Sequence, residues 1–316
     1  SAHAASEIRS GVVNNEGLVE ANGITTKGGR IFLEASDKIT HLGEINADAS
    51  STGQGGDILL IASLDNSNSQ TIVSGSLSAK GGTLEGDGGF IETSASHLSI
   101  LPEASISTNA PAGQSGLWLL DPTDVTISSG SGAIGQSTVG VSTLETALAS
   151  GSVTIEATND ITVSAALSNN TANNNTLTLT ADSDSDGSGD INVNAVITIG
   201  AGDGIALNYG SSGYLTMARD DATNTFTGKI NLDATSTVNI NGDSYTVITS
   251  LGAAGSTTGT DLQGLANNSF TGSYTTLASN YVLGTDIDAS ATSSWNGGSG
   301  FKPIGTSNYM FTGNLN

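Results

Sequence analysis

The segment Asp182-Ser183-Asp184-Ser185-Asp186-Gly187-Ser188-Gly189-Asp190 places an oxygen donor at every second position, with glycine at the sixth. A loop that wraps calcium needs this pattern: carboxylates converge on a hard cation while the glycine makes the sharp turn. The twelfth position of such a loop brings a bidentate glutamate, and here it is Val193. Two readings therefore stand. Asp182, Asp184, Asp186 and Asp190 are candidate calcium ligands, or the segment is a polar turn, a texture it shares with Asn173-Asn174-Asn175.

Other pairings have less to offer. Asp121 and Asp124 flank Pro122, and Asp220 adjoins Asp221. Paired carboxylates can cleave a glycosidic bond, one as acid and the other as base or nucleophile. A cleft for acidic polysaccharide would also need cations or a histidine, yet His3, His41 and His97 are scattered and none neighbours a pair. We read the pairs as structural turns and the histidines as solvated loop residues. No catalytic residue is assigned, the chain is expected not to be an enzyme, and no cofactor other than calcium is expected. Trp118, in an apolar strand, reads as core. Trp295, Tyr274, Tyr281 and Tyr309 lie in a Gly-rich stretch, where aromatics stack on sugar rings or build a small local core. Asn169, Asn174 and Asn267 each open a glycosylation acceptor pattern, which Asn-rich chains also produce by chance.

The elements that must position these residues are short strands. The chain has 316 residues, with 42 glycines, four prolines and only 4% aromatics, so a thick core of large side chains is out of reach. Four segments open with glycine and run into an apolar strand, at Gly29, Gly56, Gly89 and Gly116, spaced by 27, 33 and 27 residues. Between them a second element recurs, centred on Val19, Ile45, Leu77 and Ile106, with steps of 26, 32 and 29. Periods of this size indicate a solenoid whose coils stack one on the next. A second set follows at Val153, Leu177, Ile205 and Ile230, with steps of 24, 28 and 25. Its companion strands are Ile161–Val163, Ile191–Val193 and Val238–Ile240, and Tyr214–Met217 fills that place in the third. Between the sets, Ser142–Ala149 reads as one short helix, with Ser142 as N-cap and Glu145 completing a capping box. Asp261–Ala266 suggests a helical turn.

The expected architecture is all-β: a right-handed parallel β-helix with a short helical interruption. Its parts are a first repeat set (1–128), an irregular or helical interruption (129–150), a second repeat set (151–245) and a carboxy-terminal module (246–316). An antiparallel sandwich would not need the register that the repeats show.

Charge narrows the partners. Thirty acidic residues against eight basic ones give a net charge of −22, with Arg9, Arg30 and Arg219 the only arginines. Nucleic acid binding needs clustered cations and is excluded, and an anionic membrane would repel the chain. No apolar run is long enough to span a bilayer, so no transmembrane segment is expected. There is no cysteine, so disulfides and thiolate metal sites are excluded.

Some stretches resemble a known family. Gly116-Leu117-Trp118-Leu119-Leu120-Asp121-Pro122-Thr123-Asp124-Val125-Thr126-Ile127 resembles a segment of filamentous-haemagglutinin-like exoproteins of the two-partner secretion pathway. Gly28–Ala35 and Gly88–Ser94 resemble strands that precede it there. Asp286-Ile287-Asp288, Trp295 and Gly300-Phe301-Lys302-Pro303-Ile304-Gly305 resemble a module that opens the repeat region of large bacterial adhesins. The resemblance implies a right-handed β-helix, export through an outer-membrane partner transporter, and an extracellular or cell-surface location. It implies attachment to a host-cell, bacterial or matrix glycan or protein ligand. The family's Asn-Pro-Asn secretion motif is not found, which puts the chain downstream of the secretion domain. A self-assembling filament or homo-oligomer built by end-to-end stacking is a second expectation, and a β-helix polysaccharide lyase or hydrolase a third.

Overall fold

Runs of three to six residues that alternate apolar and polar form strands, and the Gly, Asn, Asp and Ser between them turn the chain after each one. The computed structural model describes residues 11–21, 28–130, 136–271 and 277–316. The first coil comprises β1 (Val12–Asn15), β2 (Leu18–Glu20) and β3 (Arg30–Ala35). The second is β4 (Lys38–His41), β5 (Glu44–Asn46) and β6 (Asp57–Ala62), and the third β7 (Gln70–Val73), β8 (Ser76–Ser78) and β9 (Phe90–Ser94). The fourth is β10 (His97–Ile100), β11 (Ser105–Ser107) and β12 (Leu117–Asp121). The fifth holds β13 (Val125–Ser128), β14 (Thr138–Gly140), helix α1 (Val141–Leu148) and β15 (Ser152–Ala157). The sixth is β16 (Ile161–Val163), β17 (Leu167–Asn169) and β18 (Thr176–Ala181), and the seventh β19 (Ile191–Val193), β20 (Val196–Ile199) and β21 (Gly204–Asn208). The eighth is β22 (Leu215–Met217), a small hairpin of β23 (Arg219–Asp220) and β24 (Thr225–Phe226), then β25 (Lys229–Leu232) and β26 (Thr237–Ile240). Beyond it lie β27 (Asp243–Ile248), α2 (Leu262–Thr271), β28 (Asn280–Leu283) and a 3-10 segment, Ser290–Gly298.

These coils stack into a parallel β-helix with three walls. The first wall runs β1-β4-β7-β10-β14-β13-β16-β19-β22. The long wall runs from β3 through β6, β9, β12, β15, β18, β21, β26 and β27 to β28. The second wall is β2-β5-β8-β11 and then β17-β20-β25, and α1 packs against both β11 and β17 between them. Pairing is parallel throughout the walls except at β26–β27. The registers confirm the repeats as read: Gly29, Gly56, Gly89 and Gly116 lead into the aligned residues Arg30, Asp57, Phe90 and Leu117, and Val19, Ile45, Leu77 and Ile106 align in turn.

Inside, like stacks on like. Ile31, Ile58, Ile91, Trp118, Val153, Leu177, Ile205 and Val238 form one buried column along the long wall. Each such side chain contributes about 1.5–3 kcal/mol through burial. Trp118 is 1% exposed, and its Nε1 donates to Thr93 Oγ1 at 3.1 Å. Where the second wall meets the long wall, the chain must pass close to itself. Gly56 N donates to Ala47 O at 2.8 Å, Gly89 N to Ala79 O at 2.7 Å and Gly116 N to Thr108 O at 2.8 Å. A Cβ on any of these glycines would lie about 2.0 Å from the carbonyl oxygen of the glycine one coil below. That contact explains why glycine recurs there.

The helix, Val141–Leu148, starts and ends one residue before the expected Ser142–Ala149, and its cap differs. The N-cap is Gly140, with no side-chain cap hydrogen bond. Ser142 Oγ turns instead to Pro102 O at 3.4 Å, and Glu145 Oε1 accepts the amide of Ser168 at 2.8 Å. The capping box loses because the neighbouring coils offer these groups partners of their own. At the other end, Asn175 Nδ2 donates to Leu148 O at 2.7 Å and Asn173 Nδ2 to Ala149 O at 2.9 Å. The Asn-rich turn therefore satisfies carbonyls that every helix leaves unpaired. The buried Asp203 braces the same turn by accepting the amides of Thr171, Ala172 and Asn173 at 2.9, 3.0 and 3.1 Å.

Two readings of the sequence need correction. Ile230–Leu232 does not continue the column of Ile205: β25 pairs with β20 in the second wall, and Val238 is the residue that aligns with Ile205. The β23–β24 hairpin lengthens the eighth coil and shifts the frame. His41 is no loop residue either. It is fully buried, its Nε2 donates to Ser76 O at 3.0 Å, and its Nδ1 then accepts from Asn15 Nδ2 at 3.2 Å. His97 begins β10, and His3 lies outside the described residues.

Burial pushes His41 below its ordinary value of 6.5, opposed in part by the Ser76 carbonyl. As pH falls below 6.5, the unfolded chain takes up this proton first, so stability present above that pH is lost on acidification. We expect the urea midpoint to drop between pH 7 and pH 5, and the drop to be smaller in His41→Gln. An equal drop in both proteins would remove His41 as a cause.

Candidate functional site

The loop between β18 and β19 carries the aspartates singled out by their spacing. Asp182 and Ser185 have φ of 71° and 60°, and Gly187 has φ of 94°. The turn brings carboxylate oxygens of Asp182, Asp184 and Asp186 within 4.8 Å of one another. Oxygens bound to one calcium at about 2.3–2.6 Å can be no more than about 5 Å apart, so this group fits. Hydrogen bonds from the Ser188 hydroxyl and amide hold Asp186 below its ordinary value, which keeps it ionised as a ligand must be. Asp182 Oδ1 also accepts the Gly187 amide at 3.0 Å.

Asp190 is not a member of this group. Its carboxylate accepts the Tyr214 amide at 2.7 Å, and its own amide donates to Asp160 Oδ1 at 2.8 Å. The Asp160 amide in turn donates to Asp124 Oδ1 at 3.2 Å. Asp124, Asp160 and Asp190 thus form a ladder in which each side chain receives the amide one coil on. The signal in the sequence is an aspartate directly before the first apolar residue of a first-wall strand.

The pairs considered for acid–base chemistry separate as well. Asp124 belongs to the ladder, whereas Asp121 faces outward from the long wall toward Glu156 and Glu92. Asp220 Oδ1 accepts the Ala222 amide at 2.9 Å in the β23–β24 hairpin, and Asp221 pairs with Arg219 Nε at 3.6 Å on the surface.

Burial, together with the charges of Glu156 and Glu92, raises Asp121 to about 6 from an ordinary 3.8. The folded chain therefore holds this proton more tightly than the unfolded chain. The stability it contributes is present below about pH 4 and is lost as pH rises through 6. After solvent screening the ionised group costs about 1–2 kcal/mol. Asp121→Asn is expected to raise the urea midpoint at pH 7.5 and leave it unchanged at pH 4. Equal effects at both pH values would contradict this.

Around that carboxyl, the outer face of the long wall changes character along the axis. On β3, β6, β9 and β12 the outward positions carry Phe32, Leu59, Ile61, Phe90, Leu117 and Leu119. On β15 and β18 the corresponding positions carry Ser152, Thr154, Glu156, Thr176, Thr178 and Thr180. Phe32 is 49% exposed, whereas its in-register neighbour Leu59 is 9% exposed. Sequence reasoning passed over this face, although unbroken Ile58-Leu59-Leu60-Ile61 marks a strand apolar on both sides.

Of the aromatics, Tyr281 is buried beside Phe311, with ring centroids 6.2 Å apart, and forms a small core with Ile248 and Leu265. Tyr274 lies outside the described residues. Asn169 is fully buried, which closes its acceptor pattern in the folded chain, while Asn174 is exposed. An apolar cavity of about 800 Å³ opens at the end of the eighth coil, lined by Leu207, Met217, Ile230, Ile240, Leu262 and Val282 among others.

No family model matches the chain. A stretch of 48 residues is 56% identical to halomucin of Haloquadratum walsbyi, covering 15% of this chain and, to the nearest per cent, 0% of halomucin. The chain thus matches only a very small part of that relative. No helix among the described residues is long and apolar enough to cross a membrane.

Proposed function

We propose that the chain is part of a secreted or surface-exposed attachment rod of the filamentous-haemagglutinin-like kind, exported through an outer-membrane partner transporter. The observation that carries this reading is the stack of eight coils, about 40 Å long at the usual strand spacing. Such a rod repeats its outward side chains along one axis and binds by many weak contacts at once. The short likeness to halomucin, whose name is that of a mucin, accords with an extracellular role. The test is adhesion of the labelled rod to host cells, bacteria and immobilised matrix glycans. Saturable binding to any of them supports the reading. No binding, together with release of reducing ends from a polysaccharide, would replace it with a hydrolase.

A second reading, end-to-end assembly, is favoured by one feature. Among the described residues, β22 and β25 are the last strands of their walls, and the 800 Å³ apolar cavity lies beside them. Edge strands over an apolar interior pair readily with an arriving strand. Negative-stain microscopy separates filaments from single rods.

We also propose calcium at Asp182, Asp184 and Asp186. At calcium about ten times its dissociation constant, the folded rod gains about 1.4 kcal/mol. Melting should therefore shift upward with calcium and return with chelator, and Asp184→Asn/Asp186→Asn should remove the shift. An unchanged shift in that variant would reduce the loop to a polar turn.

A further inference from the structure

On the first four coils, the outer face of the long wall combines two properties that the later coils lack. The first is apolar. Three outward columns run along this wall. The first reads Arg30, Asp57, Phe90, Leu117 and Ser152; the second Phe32, Leu59, Glu92, Leu119 and Thr154; the third Glu34, Ile61, Ser94 and Asp121, followed by Glu156 one coil on. Outward side chains of a half-buried sheet should be polar, and from β15 onward they are mainly Ser, Thr and Asn. The apolar residues are confined to β3, β6, β9 and β12 and are contiguous across columns, with Phe32 exposed, Ile61, Phe90, Leu117 and Leu119 half-buried and Leu59 buried among them, which marks an interaction surface rather than scattered exposure.

The second property is charge. Glu34, Glu92, Asp121 and Glu156 sit within or beside the apolar patch, and Asp57 borders it, against a single cation, Arg30. Among the described residues, no ion pair with Glu34, Glu92, Asp121 or Glu156 is formed. Glu92 Oε1 accepts the hydroxyl of Ser94, at 2.9 Å.

The charge decides between occupants. A second copy laid on this face by a twofold axis would press the carboxylates against their own kind, and each copy carries a net charge of −22. An anionic membrane is repelled in the same way. A neutral apolar ligand would leave Glu92, Asp121 and Glu156 desolvated without a counter-charge. What fits is a polypeptide that sets apolar side chains over Phe32, Phe90 and Leu119 and reaches the carboxylates with lysine or arginine.

We propose that the outer face of β3, β6, β9 and β12 is a docking surface for a basic amphipathic polypeptide segment: an apolar stripe seated on Phe32, Phe90, Leu117 and Leu119, with flanking cations paired to Glu92, Asp121 and Glu156. This deepens the attachment reading by naming the chemistry of one partner. Repulsion within the carboxylate cluster, which together with burial raises Asp121 to about 6, is relieved when the partner's cations arrive. Association is fast at low salt and slows as salt rises, because the charges steer the encounter while the apolar seat sets the lifetime.

The test is titration of the whole rod with three synthetic helical peptides of about 18 residues. One has a leucine stripe flanked by lysines, the second the same stripe flanked by glutamates, and the third the same lysines with serine in place of leucine. The first is expected to bind, the second not at all, and the third at least tenfold more weakly than the first. Phe32→Thr/Leu119→Thr copies the threonines that Thr154 and Thr178 place in the same column, and should weaken the first peptide at least tenfold. Glu92→Gln/Glu156→Gln should weaken it about fivefold and flatten its salt dependence. Phe32→Thr alone, at an exposed site, serves if the double variant does not fold.

Binding unchanged by the threonine variants would mean attraction to bulk negative charge and would overturn the proposal, as would equal binding of the glutamate peptide. Self-association of the rod that Phe32→Thr/Leu119→Thr abolishes would assign the face to a second copy instead. A rod that binds the lysine peptide yet adheres to no cell or matrix would keep the docking surface and remove the attachment reading.

Discussion

Gly89→Val is expected to unfold the first coils of the rod. A Cβ at Gly89 would lie 2.0 Å from Gly56 O, 2.8 Å from Gly55 C and 2.9 Å from Gly56 N, all backbone atoms. They cannot retreat without breaking the bonds from Gly89 N to Ala79 O at 2.7 Å and from Phe90 N to Gly56 O at 3.0 Å. Overpacking alone costs about 1–3 kcal/mol, and two lost backbone bonds bring the total to about 4 kcal/mol. Because coils touch only their neighbours, the damage stays near the third coil and spreads toward the amino end. Limited proteolysis should cut the first coils while the sixth and seventh stay protected. Gly17→Ala is the control, since nothing lies within 4 Å of its Cβ position. A native urea midpoint for Gly89→Val would show that the corner is looser than drawn.

Trp118→Ala is expected to cost about 3–5 kcal/mol. The column it occupies is otherwise Ile, Val and Leu, with Ile91 before it and Val153 after it. The indole sits where the fifth coil inserts β14 and α1, and Leu144 and Leu148 of that helix belong to the same core. The wider interior there needs a larger side chain than elsewhere. Trp118→Phe should cost less, about 1–2 kcal/mol, mainly by leaving buried Thr93 Oγ1 without its donor. If Trp118→Ala melts with the native protein, the helix is not part of one core with the coils.

What could be read in the sequence follows from one physical fact: parallel stacking puts equivalent residues in register, so the period is written directly in the chain. That is why Val19, Ile45, Leu77 and Ile106 could be aligned by eye. The reading failed where an insertion broke the period. The β23–β24 hairpin moved Ile230 out of the long wall, and nothing in Arg219–Phe226 announces so short a hairpin. The cap of α1 was misread because Ser142 and Glu145 have tertiary partners that spacing along a helix cannot reveal. At the aspartate loop, spacing brought Asp182, Asp184 and Asp186 together, but it also included Asp190, whose carboxylate the next coil claims through the Tyr214 amide. Asp203 and the outer apolar face went unnoticed because their partners are 30 or so residues away in sequence.

The fifth coil places both β14 and β13 in the first wall where the long wall places only β15 after β12. Helix α1, about 10 Å across, fills the second wall at the same level and is as tall as two strands. Two sides of the rod are thus longer than the third by one strand spacing of about 4.8 Å. Across an interior about 10 Å thick, a difference of that size would tilt the axis by roughly 25° toward the long wall. Strand count alone thus calls for an elbow at the fifth coil, with the long wall on its inner side, the apolar patch of the first four coils on one arm and the threonine-rich face of the later coils on the other.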